Sequence, residues 1–325
     1  MPEALTLAEG ATVADHAAAR RLAGASPAAH VAGMAAVATP APLLELQDAG
    51  WRVGRYAGRL TLDGRSVLFE PRIGWDALDG WVTAATGLPV PATVGADRSA
   101  RVTALASMLW VCAVDGASRH GPPAFRRDVP YEGGNVRGRL DVRRTVRLRA
   151  KGASTAASVY RARELDNPVT RIIVAADRVL MRQVGEGRWR TDRVDGVLAQ
   201  LQTAVGRRSP APPEGELHRM RYTPITRPFK WAAELSSRIV RQDPVATTAL
   251  PGRVQGLVID LDGVYAEATL GWARDARPDL RAEVAGSGRV VLRDRQRIRA
   301  SLDPSNLPAD AGEAADAVRR ALAAI

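Results

Sequence analysis

Near the end of this 325-residue chain, four side chains have the types and spacing for metal-assisted phosphate chemistry. Pro278-Asp279 opens one short apolar run and Asp294-Arg295-Gln296 ends the next, with Gly286-Ser287-Gly288 between them. Asp279 and Asp294 are therefore expected on adjacent strands of a hairpin. Glu267, on the helix before it, is a further acid. Two carboxylates so placed can hold Mg²⁺, which polarises a phosphate and activates a water. Gln296 can orient that water by hydrogen bonding but brings no charge. The only lysines are Lys151 and Lys230, far from the hairpin, so Arg293 and Arg295 are the nearest cations. Strand alternation is expected to turn Arg295 away from Asp294 and Gln296. Without a metal, the same acids belong to an ordinary surface hairpin.

A second set is basic. Arg137, Arg139, Arg143, Arg144, Arg147 and Arg149 form the densest cationic run. At strand period the odd-numbered ones share a face that tracks phosphates or docks on an acidic protein surface. The plainer reading is a solvated edge strand. Residues 101–240 carry 26 basic against 13 acidic side chains, while 1–100 carry 8 against 10 and 241–325 carry 12 against 12. The whole excess of +11 thus sits in the middle, and such a field favours a polyanion. An Arg-rich, Lys-poor composition is also what a high-GC genome writes everywhere.

Several chemistries are not written here. Cys112 is the only cysteine, which excludes an intrachain disulfide or a cysteine zinc cluster and fits a reducing cytoplasm. His16, His30, His120 and His218 are isolated from one another. No Gly-rich loop is followed by a lysine, so the chain is not itself an NTPase, and no nucleophilic triad is visible. Apolar stretches such as Ala104 to Val114 fall short of a membrane span, and Met1 to Gly10 carries acids where a signal peptide would be basic. A soluble cytoplasmic protein is expected.

The elements that must position these groups follow from periodicity. Asp15 to Leu22 reads as a short helix in an Ala/Gly/Pro-rich start. From 43 to 73 Trp51, Val53, Tyr56, Leu60, Leu62, Val67 and Phe69 alternate at strand period, with Asp63-Gly64 as a hairpin turn. Asp76 to Thr86 is a helix closed by Gly87, and Trp51, Trp75 and Trp81 are expected in the core around this sheet. Residues 89–100 read as a linker, and Val102, Leu105, Met108, Leu109 and Cys112 as a buried helix. Arg119 to Gly138 reads as loop. A helix capped at Asp166-Asn167-Pro168 runs to Val184, another runs from Asp192 to Val205, and 207–215 is a Pro-rich linker. Helices are expected from Phe229 to Val240, Asp260 to Arg274 and Asp310 to Ile325, with strands at Leu280 to Ala285 and Arg289 to Leu292.

Three stretches resemble the McrC family, in the family's order. Tyr56-Ala57-Gly58 through Phe69-Glu70-Pro71-Arg72-Ile73-Gly74 resembles its strand pair ending in an apolar-x-Pro-Lys-Ile run. Val136-Arg137-Gly138-Arg139-Leu140-Asp141, with Tyr160 to Glu164 and Asn167 to Arg171, is similar to its Arg-Gly-Arg turn, Tyr/Arg/Glu strand and Asn-Arg helix start. Tyr222 to Val240, with Val258 to Leu261 and Tyr265-Ala266-Glu267, resembles the segment leading into its nuclease. The resemblance spans about residues 50–275. It implies a subunit that binds and stimulates an AAA+ GTPase or ATPase hexamer in a restriction system against 5-methylcytosine-bearing DNA. It also implies a C-terminal nuclease of the PD-(D/E)xK type, in which Gln296 stands where the lysine belongs.

The fold expected is α+β: a β-rich unit over 1–95, a basic mixed unit over 96–215, and a degraded or truncated endonuclease-like unit over 216–325. The function expected is a partner-binding, DNA-acting adaptor. The rival readings are an active Mg²⁺-dependent endonuclease using Asp279, Asp294 and Gln296, and a DNA-binding protein without a motor.

Overall fold

The computed structural model describes residues 5–23, 30–31, 42–48, 50–62, 65–91, 98–184, 189–242, 255–285 and 288–325. The chain begins with β1 (Leu5–Ala8), β2 (Thr12–Val13), α1 (His16–Ala23), β3 (His30–Val31), β4 (Leu44–Gln47), β5 (Gly50–Val53), β6 (Tyr56–Leu62) and β7 (Arg65–Glu70). Next come α2 (Trp75–Thr86), α3 (Arg98–Ala117), β8 (Phe125–Gly133), β9 (Arg139–Leu140), α4 (Val142–Ala150), β10 (Ala156–Glu164), α5 (Pro168–Val184), α6 (Asp192–Val205), α7 (Glu214–His218) and α8 (Pro228–Gln242). It ends with β11 (Gln255–Asp260), α9 (Leu261–Ala276), β12 (Arg281–Val284), β13 (Val290–Asp294), β14 (Arg297–Leu302) and α10 (Ala311–Ala323).

The alternating run expected at 43–73 is divided between two sheets. β5 lies between β2 and β4 in a three-stranded sheet, while β6 and β7 lie in a five-stranded sheet of order β1-β7-β6-β11-β3. β6 and β7 register Leu62 against Arg65, as a two-residue turn requires, although Asp63-Gly64 itself lies outside the described residues. β11 comes from nearly two hundred residues later and inserts antiparallel beside β6, with Gly58 opposite Val258 and Gly256 opposite Leu60. Both glycines have positive φ, 146° and 144°, and a Cβ on either would stand 2.2 Å from a carbonyl oxygen of the facing strand. The two strands approach this closely only because neither position carries a side chain.

α3 runs through the centre of the main core. Leu105, Met108 and Trp110 are fully buried, and the Trp110 Nε1 donates to Ser236 Oγ of α8 at 2.8 Å. The segment Ala100–His120 is long and apolar enough to cross a membrane, more than the sequence reading allowed, but most of it is buried against other elements of the fold. The same cluster of buried side chains takes Ala57 and Trp81, Trp110 and Ile173, and Phe229 and Val264, so it runs across positions 95 and 215. Trp81 sits in it, edge-on to Tyr265 and Trp272, while Trp51 packs on the smaller cluster under the N-terminal sheet.

The helices at 16–23, 75–86, 98–117, 168–184, 192–205, 228–242, 261–276 and 311–323 match the periodic segments closely. Asn167 Oδ1 accepts from Thr170 N at 3.0 Å, Thr191 caps α6, and Asp310 caps α10, which are the side-chain acceptors a helix start needs. Within the expected loop at 119–138, residues 125–133 form strand β8. The prolines and glycines that argued for a loop lie at its ends, and Pro130 is tolerated because β8 is an edge strand in the order β8-β10-β9. The chain is thus mixed α and β, built on several small sheets.

Candidate functional site

The basic run expected as one strand is a strand, a turn and a helix. β10 pairs with β8 over nine residues, Ala156 with Gly133 to Glu164 with Phe125, and on its other side with the two-residue β9. At the Arg137-Gly138-Arg139 turn Gly138 has φ 74°, and a Cβ there would lie 2.5 Å from Val159 O. The turn therefore presses on β10 as only glycine allows. Arg137 N donates to the buried Ser158 Oγ at 3.0 Å.

Asp141 then starts α4: its Oδ1 accepts from Arg144 N at 3.0 Å. Arg, Leu and Ala are good helix formers, and with this cap they override the strand alternation read from the odd-numbered arginines. Thr145 pins the helix to β10, donating to Ala157 O at 3.1 Å and accepting from Ala157 N at 2.9 Å. Arg143 and Arg147 are consequently one helical turn apart, Arg144 pairs with Glu132 at 2.5 Å, and Arg139 is exposed in β9. No residue of α4 is buried, and Val142 and Val146 are 62% and 61% exposed. Val136 and Leu140 are exposed beside them. The whole is an arm whose outer surface combines arginines with unpacked aliphatic side chains.

The carboxylate hairpin forms as expected but with a third strand. β12, β13 and β14 make an antiparallel sheet over α9 and α10, with Leu270, Ala282, Val290, Leu292, Val318 and Leu322 between. Asp279 precedes β12 in a turn, mostly exposed, and takes both Nε and Nη2 of Arg277 at 2.9 Å. That ion pair holds its carboxyl below the ordinary range. Asp294 ends β13 and accepts from Arg299 Nη2 at 2.8 Å. Arg295, with φ 55°, and Gln296 form the turn into β14 rather than continuing the strand, so the expected alternation does not apply to them. Glu267 is part-buried on α9, raised above the ordinary carboxylate range by burial, and acts on the thiol of Cys112 in α3. Among the described residues no group of three or more His, Cys, Asp or Glu side chains could hold a metal ion, and Asp279 and Asp294 are each engaged by an arginine rather than brought together.

One polar cluster went unread in the sequence because its members come from distant segments. Arg55, between β5 and β6, bonds Asp262 Oδ1 at 2.9 Å and lies 3.8 Å from Glu9, which accepts from Arg72 N at 3.0 Å. Beside them Asp260, 2% exposed, caps α9 by accepting from Asp262 N at 3.0 Å. Burial, with the neighbouring Asp262 charge, raises it to about 6. The Tyr265 hydroxyl is buried here with no hydrogen-bond partner among the described residues. The Asp260-Leu261 start of a helix was legible; its pairing with β6 was not.

No family model matches the chain, and no curated protein matches it. Among solved structures, it is similar to a chain of a half-complex from a tetradecameric assembly of Thermococcus gammatolerans McrB AAA+ hexamers with bound McrC, at 14% identity and TM-score 0.41. That similarity covers 79% of this chain and 64% of the other, so the chain spans less than two thirds of its length. It is also similar to a chain of the Thermococcus gammatolerans McrBC complex, at 15% identity and TM-score 0.40, covering 83% of this chain and 86% of that one.

Proposed function

We propose that this protein is an McrC-like component of a modification-dependent DNA restriction complex, acting in the cytoplasm, and that the arm of β8, β9, β10 and α4 docks on an AAA+ NTPase ring and stimulates it. The observation that carries this reading is α4. A helix with no fully buried residue, showing Val142 and Val146 among Arg143, Arg144 and Arg147, gains little from burial within its own chain. Such a surface suits a partner with an apolar seat and an acidic rim.

The three stretches that resemble the McrC family support it further by where they lie. The first is the β6–β7 hairpin, the second is the arm and the start of α5, and the third is α8, β11 and the start of α9, with β11 hydrogen-bonded to β6. The carboxylate hairpin is a degraded nuclease centre in this reading, and the 5-methylcytosine signal is sensed by the motor.

The test is co-expression with the AAA+ protein encoded beside this gene. Copurification and stimulated GTP or ATP hydrolysis are expected, both lost with Arg143→Glu/Arg147→Glu. A motor that neither binds the chain nor responds to it overturns the reading.

A further inference from the structure

Away from the arm, α8 lines a groove of about 910 Å³ whose opposite wall is formed by Leu217 to Pro224. Arg227, just before the helix, and Lys230, Glu234, Arg238 and Arg241 on it follow one another at spacings of three and four. They therefore form one stripe, roughly 20 Å long at the rise of a helix. The stripe holds four cations and a single acid, and Glu234 lies 3.8 Å from Lys230.

Arg238 is the informative member. Its Nη1 is buried with no hydrogen-bond partner among the described residues, and burial pulls the guanidinium below its usual pKa with Glu234 opposing. A buried cationic donor without an acceptor is costly; the one acid of the stripe, Glu234, lies against Lys230, and an anion entering the groove would supply the acceptor. On the far wall Tyr222 is held edge-on against Phe125 at 5.6 Å, leaving an aromatic surface bordering the cations. A lone phosphate would engage one or two of these groups. A row of cations over several helical turns beside an aromatic ring matches a phosphodiester chain with bases.

We propose that this groove binds a single nucleic-acid strand along α8, its phosphates spread over Arg227, Lys230 and Arg241, with Arg238 donating to a phosphate oxygen and Tyr222 beside the bases. The inference rests on the restriction-complex reading for the choice of nucleic acid among polyanions. Its test uses the full chain alone, without any motor, so the two readings fail separately.

Fluorescence anisotropy with a labelled twelve-nucleotide oligo-dT is the measurement. Wild type is expected to bind at low salt. Arg227→Gln/Lys230→Gln/Arg241→Gln is expected to lose at least about tenfold in affinity and to flatten the log–log salt slope by about 2, at roughly 0.7 per phosphate contact. Arg238→Met is expected to weaken binding while leaving Tm unchanged or higher, because an unpaired buried charge is removed. Arg319→Gln/Arg320→Gln on α10 is expected to bind the oligonucleotide within twofold of wild type. The proposal is overturned by absence of binding in the folded wild type, by a triple variant that binds normally, or by an equal loss in the α10 variant. It is equally overturned if inorganic phosphate competes as well as the strand at equal phosphate concentration, or if Arg238→Met lowers Tm with binding unchanged.

Discussion

The guanidinium of Arg137 lies 4.5 Å above the ring of Tyr131, from a turn that reaches across β10 to the far strand of the same sheet. A cation over an aromatic face contributes on the order of 0.5–1 kcal/mol at an exposed site. The contact depends on Gly138, because the turn can lie this close to Val159 only without a Cβ. Gly138→Ala is therefore expected to loosen the arm by about 1–2 kcal/mol or more through left-handed backbone strain alone. Hydrogen exchange should show faster amides over 136–164, by a factor of roughly 5–30. Equal acceleration throughout α3 and α5 would show instead that the arm is not a separable unit.

Charge reversal at the arm should separate binding from folding. Arg143 and Arg147 are exposed, and among the described residues neither has an ion pair, so Arg143→Glu/Arg147→Glu is expected to shift stability by no more than about 0.5 kcal/mol. Association with the proposed AAA+ partner is expected to weaken by roughly tenfold or more, chiefly as a slower on-rate with a shallower salt dependence. Unaltered association rates at low salt would remove the arginines from the interface.

The arm also shows where sequence reading stops. Its arginines were legible as the densest basic run of the chain, but their arrangement was not, because 137–149 fits both a strand and a capped helix and the choice needs a contact with a distant strand as well as a cap. Asp141 capping and the Thr145 bridge to Ala157 choose the helix. The long helices were legible because each carries its own apolar stripe and its own cap. β1, β8, β11 and β14 were not, being short or bounded by Pro and Gly, with partners up to two hundred residues away. Gln296 looked like a strand residue until β14 required a turn at that point.

The seam between β6 and β11 offers a test of that long-range pairing. Gly58→Ala and Gly256→Ala each set a methyl group 2.2 Å from backbone oxygen in a positive-φ position, and each is expected to cost about 3 kcal/mol or more. Gly271→Ala, in α9 with nothing within 4 Å, is expected to stabilise by up to about 1 kcal/mol. Urea denaturation reads all three. Equal tolerance at the three sites would place β11 elsewhere.

Asp260 makes stability depend on acid. Its folded-state pKa of about 6 lies above the ordinary carboxylate value, so the native state holds the proton more tightly than the unfolded chain. That contribution is complete below the unfolded value and is lost as pH rises through about 6. Asn keeps the cap of α9 and removes the charge. Asp260→Asn is therefore expected to exceed wild type by up to about 3 kcal/mol at pH 7.5 to 8, from a shift of about two units, and to converge with it near pH 4. Denaturation curves at those pH values decide it, and parallel pH profiles would show that Asp260 is solvated like any surface acid.

The carboxylate hairpin gives the last expectation. Asp279 is closed on Arg277 at the end of α9 and Asp294 on Arg299 of β14, at 2.9 and 2.8 Å, while Gln296 sits in a turn and Glu267 lies part-buried on α9. A hydrolytic Mg²⁺ site needs at least two acids free to share the ion and a cation at the developing charge, and here the cations neutralise the acids themselves. With the motor, Mg²⁺ and methylated plasmid, wild type is expected to leave the DNA uncut. Arg277→Ala/Arg299→Ala, which frees both acids, is expected to leave it uncut as well, because no third ligand stands beside them. Gel electrophoresis of the plasmid is the measurement. Linear product from wild type that disappears in Asp294→Ala would make the hairpin a working nuclease and Arg299 a partner that the bound metal displaces.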